Sequence, residues 1–68
     1  MSAKEMFEML GYKQFANNSV EKMYHNDKYT IIFNKMNLEI YCTCIIDMKL
    51  LQAINKQVEE LGWNECLK

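Results

Sequence analysis

The chain has 68 residues, 8 basic and 9 acidic, with a formal net charge of −1 and a hydrophobic share of 50%. That length holds one domain, residues 1–68, and a fold so small has too much surface for its volume to hide that much apolar side chain alone. Every basic residue is Lys. Without Arg, the usual bidentate reader of guanine and phosphate, and without a positive balance, the electrostatic footprint of a nucleic-acid-binding protein is missing, as is the basic stripe of a membrane-surface helix.

Lys, Asn and Ile are abundant and Pro is absent, a bias that follows AT-rich codons and explains the Lys preference without any mechanism. No apolar run approaches the ~20 residues that span a bilayer, since Ile45-Ile46 is ended at once by Asp47. The three cysteines, Cys42, Cys44 and Cys66, are odd in number, and no N-terminal signal peptide is legible. Both features point to free thiols in a reducing cytoplasm.

The first element is a helix over residues 3–10. Ser2 and Glu5 form the S-x-x-E capping box that satisfies free amides at a helix start. Ala3, Met6, Phe7 and Leu10 share one apolar face. Gly11 is the stop, and Tyr12 is placed to fold back on Phe7.

Beyond Tyr12 the period changes from 3.6 to 2. Residues 12–16 are a possible first strand, 17–19 a turn, and 20–25 an alternating strand. Asn26-Asp27 reads as a two-residue turn, because both residue types tolerate positive φ. Residues 29–33, dense in aromatic and β-branched side chains, are the strongest strand, and 38–45 the last. Turns this short make neighbouring strands antiparallel.

A second helix covers residues 48–61. Asp47 is its N-cap, Leu50, Leu51, Ile54, Val58 and Leu61 are its apolar stripe, and Gly62-Trp63 repeats the Gly-aromatic stop of the first helix. The expected fold is therefore α+β, an antiparallel meander of three or four strands flanked by an N-terminal and a C-terminal helix. The simplest packing lays both helices on one sheet face, with Tyr29, Ile31, Phe33, Leu38, Ile40 and Cys42 in the core. The other face then carries Thr30, Ile32, Tyr41, Thr43 and Ile45, which is apolar for a solvated surface.

Several constellations have a chemical reading and a plainer one. Cys42 and Cys44, two apart on a strand, point the same way and could share a metal, but only Cys66 and His25 remain to complete four ligands; buried free thiols are the plainer reading. A Cys–His nucleophile using His25 lacks an orienting partner and an oxyanion hole. Tyr24, Tyr29, Phe33 and Tyr41 could stack bases, yet their strand neighbours are of mixed charge. Glu59, Glu60 and Glu65 could mimic phosphates but read as a solvated face. Trp63 is either the lid of the core or an exposed anchor.

The segments AKEMFEMLGY, residues 3–12, and MKLLQAINKQVEELGW, residues 48–63, resemble the termini of a group of small uncharacterised proteins from phages and prophages of low-GC Gram-positive bacteria. The resemblance covers the two ends of the chain and is carried by helix faces and stops. It implies a context rather than an activity: small phage accessory proteins bind and block host proteins, including defence nucleases, or sequester nucleotides as small oligomers.

The functional expectation is a non-enzymatic protein-binding module, with no catalytic residue, cofactor or metal. Its partner is a second copy or a host protein, and its contact residues are Ile32, Tyr41, Ile45 and Trp63. The alternatives are an oligomeric protein that sequesters a small ligand or nucleotide, and a nucleic-acid-binding regulator, which the absence of Arg disfavours.

Overall fold

The computed structural model describes residues 1–63. The elements run α1 (Ala3–Met9), β1 (Lys13–Asn17), β2 (Glu21–His25), β3 (Thr30–Asn34), β4 (Glu39–Cys42) and α2 (Met48–Glu60). The strands form one four-stranded antiparallel meander in the order β1-β2-β3-β4, so the fold is α+β and the first strand does form, over Lys13–Asn17 rather than 12–16.

Local chemistry sets the boundaries. Ser2 Oγ accepts from the Glu5 amide at 3.2 Å and Glu5 Oε1 accepts from the Ser2 amide at 3.0 Å, a complete capping box. The bond from the Ser2 backbone amide holds the Glu5 carboxyl below its ordinary range. Asp47 Oδ1 accepts from the Leu50 amide at 2.8 Å and starts α2. Gly11 at φ +92° and Gly62 at φ +73° end the two helices in the left-handed region.

The three hairpin loops share one device. Asn18, Asn26 and Asn34, spaced eight apart, each turn a side-chain oxygen onto the amides two and three residues ahead, at 2.7–3.1 Å. An Asn side chain used this way substitutes for a backbone turn. At Asn26 it takes up four residues, not the two expected of Asn26-Asp27. Tyr29 therefore lies in the loop and is 40% exposed instead of entering the core.

Both helices lie on the sheet face that carries Tyr24, Ile31 and Phe33. Phe7 stacks on Tyr24 with ring centroids 4.1 Å apart and meets Tyr12 and Phe33 edge-on. Leu50, Ala53 and Ile54 complete the core from α2, and Trp63 closes it over Phe33 at 6.1 Å. The amide of Ala3 donates to Glu60 Oε2 at 2.8 Å, so the end of α2 ties down the start of α1.

Three core expectations are corrected. β4 ends at Cys42 rather than Ile45. It is an edge strand of which only Cys42 packs against the core cluster, so Ile40 stays exposed, and Leu38 is exposed in the turn before it at φ +58°. In α2, Leu51 is exposed while Ala53 and Gln57 are buried. Small Ala53 and a hydrogen bond from Tyr24 to Gln57 turn the helix away from the phase its large apolar residues predict. No helix among the described residues is long and apolar enough to cross a membrane.

Candidate protein interface

Residues paired across antiparallel strands share a sheet face. The pairs Ala16–Met23, Met23–Ile32 and Ile32–Tyr41 therefore make one apolar row across all four strands. The row lies on the face away from the helices, since Tyr24, Ile31 and Phe33 alternate with it toward the core. A bulge between Gln14 and Ala16 brings Phe15 to the same face, where its ring meets His25 edge-on at 4.9 Å. Phe15 is 63% and Tyr41 62% exposed.

Charge is divided across the row. On one side stand Lys13, His25 and Thr30, and on the other Glu21, Asn34 and Glu39, each set paired strand to strand. Thr43 extends the first set, donating its amide to the Thr30 carbonyl at 3.1 Å. The open face thus has an apolar middle, a basic corner and an acidic margin, the anatomy of a contact patch with a polar rim.

The expected contact residues separate into three places. Ile32 and Tyr41 are direct partners in the row. Ile45 lies past the end of β4 in the connection to α2 and is 95% exposed. Trp63, at 6% exposure, is a core lid on the opposite side of the sheet. Met23 and Ala16 belong to the row although the sequence reading did not single them out. Met23 was findable, because it alternates with Glu21 and His25. Phe15 was not, because only the bulge delivers it.

Cys42 and Cys44 do come together, with sulfurs 4.0 Å apart. Cys42 Sγ donates to the Cys44 carbonyl at 3.4 Å, and the Tyr12 hydroxyl donates to Cys44 Sγ at 3.6 Å. Burial pushes the Cys44 thiol up, which keeps it protonated. Tyr12, Tyr29, Cys44 and Asp47 border a cleft of about 330 Å³. Among the described residues no group of three or more His, Cys, Asp and Glu is placed to hold a metal. The base-stacking set splits, with Tyr24 and Phe33 in the core, Tyr29 in a loop and Tyr41 on the open face. Glu59 pairs with Lys56 at 3.7 Å and Glu60 binds the Ala3 amide, while Glu65 and Cys66 lie outside the described residues.

No family model, curated protein sequence or solved structure matches the chain.

Proposed function

We propose that the chain is a non-enzymatic accessory protein of a phage or prophage that acts in the host cytoplasm by binding protein. The observation that carries the reading is the uncovered apolar row from Ala16 to Tyr41 on an otherwise two-layered fold. A sheet face with Phe15 and Tyr41 mostly exposed is costly to leave in water and gains by being covered. The resemblance of the termini to phage and prophage proteins supplies the setting, in which blocking a host defence protein is the role.

The test is capture from a host culture with the tagged chain and its Tyr41→Lys variant. A partner, or a second copy, retained by the wild type and lost with Tyr41→Lys supports the reading. Identical capture by both chains removes the open face from it.

A second reading has its own observation. Beside the Tyr12–Tyr29 cleft lies another of about 330 Å³ bordered by Lys13, His25 and Asp27, with Asn26 common to both. Aromatic and basic groups side by side suit a small anionic ligand. It predicts a small molecule released when the purified chain is heated.

A further inference from the structure

We infer that the occupant of the open face is a second copy of this chain, docked sheet on sheet about a two-fold axis running along the Ala16–Met23–Ile32–Tyr41 row. This rests on the protein-contact reading above and names the partner.

The polar groups about the row are placed so that the face complements itself. In β2, Glu21 and His25 stand two residues either side of Met23; in β3, Asn34 and Thr30 stand either side of Ile32; in β4 and its extension, Glu39 and Thr43 stand either side of Tyr41. A two-fold along the row reverses strand direction between the copies. Each group then lies over its counterpart: Glu21 over His25 of the second copy, Asn34 over Thr30, and Glu39 over Thr43. Lys13, paired with His25 in the sheet, supplies a cation where Glu21 of the other copy arrives. The apolar row meets itself at the centre.

The other two-fold that stacks the same faces with their strands aligned runs parallel to the strands. It places the acidic margin of one copy against the acidic margin of the other, gathering Glu21 and Glu39 from both. Like charges brought together at an interface are strongly unfavourable, so the charge pattern selects the first axis. That arrangement is isologous and closed, so it makes a dimer and not a fibre, and it falls within the aligned class of sheet packing.

Size sets the strength. Four strands at ~4.8 Å and five residues at ~3.3 Å give a patch of roughly 19 by 17 Å. Two such patches sum to roughly 650 Å², below the ~1,200 Å² of a standard specific interface, so the dimer is a weak, concentration-dependent one.

The experiment is sedimentation of four full-length chains across the micromolar range: wild type, Glu21→Lys, His25→Glu, and the double variant. The expected result is a wild-type dimer, about tenfold weaker association for each single variant, and recovery of association in the double, where the introduced Lys and Glu face each other across the axis. Circular dichroism confirms that each variant is folded. A double variant weaker than both singles overturns the axis. A wild type that stays monomeric overturns the dimer. In that case a host protein captured in a Tyr41-dependent way leaves the protein-contact reading standing, and Tyr41-independent capture removes that as well.

Discussion

Tyr24 on β2 donates its hydroxyl to Gln57 Oε1 on α2 at 2.6 Å, and both side chains are buried, at 0% and 1% exposure. This bond joins sheet to helix through the middle of the core. Gln57→Leu strands the Tyr24 hydroxyl without a partner and costs ~1–3 kcal/mol, whereas Tyr24→Phe together with Gln57→Leu removes both groups and costs less than the two singles added. Urea unfolding of the two singles and the double checks this; additive costs would mean that the bond contributes nothing.

Burial, followed by the charges of Glu60 and Glu8, pushes the Tyr24 phenol from its ordinary 10.0 up to about 12. Burial and the hydrogen bond to Cys44 raise Tyr12 as well. Between pH 10.0 and about 12 the unfolded chain has lost the Tyr24 proton and the folded chain keeps it. The folded state then binds more protons, so stability falls with rising pH, by on the order of 2 kcal/mol from Tyr24. Lys22 acts in the opposite sense at lower pH: burial holds it below 10.5, so its contribution rises as pH approaches that value. Denaturant midpoints measured through this range should drop steeply for the wild type and less steeply for Tyr24→Phe; parallel curves would contradict the assignment.

The Asn turns give a local prediction. Asn26→Ala removes the acceptor of the Lys28 and Tyr29 amides, bonds of 2.8 and 2.7 Å. For loops exposed to water the loss is ~1 kcal/mol, which lowers the melting temperature of so small a domain by about 4–8 °C. Asn18→Ala and Asn34→Ala should behave alike, and a calorimetric scan showing no change at any of the three would rule the device out.

These residues also mark how far the sequence carried. The capping box at Ser2, the N-cap at Asp47 and the stops at Gly11 and Gly62 are short-range chemistry, so the helix limits were readable. The alternation of Ile31 and Phe33 with Thr30 and Ile32 assigned β3 to its two faces. The phase of α2 was not readable, because Gln57 enters the core only when Tyr24 is there to satisfy it, and hydrophobic periodicity does not register a polar pair formed across 33 residues. The length of the 26–29 loop was hidden for a similar reason, since an Asn side chain and a backbone turn look alike in sequence. Of the open face, Ile32 and Tyr41 followed from alternation, but the row as a unit needed the register, and Phe15 needed the bulge.

Trp63 is the only tryptophan and is 6% exposed over Phe33. Its emission should be blue-shifted in the folded chain and move to the red on unfolding. Trp63→Ala should cost ~3 kcal/mol or more through the cavity it leaves. Red emission from the native chain would place the ring in water and return it to the role of an exposed anchor.

The proposed contact with another protein is at the open sheet face. The most direct test is a residue-by-residue map of backbone amide signals by nuclear magnetic resonance, recorded as the chain is concentrated and again with any captured partner. The signals that move should cluster at Met23, Ile32 and Tyr41 and their strand neighbours, while those of α1 and α2 stay in place. Movement centred on the helices, or on the Tyr12–Cys44 cleft, would contradict it.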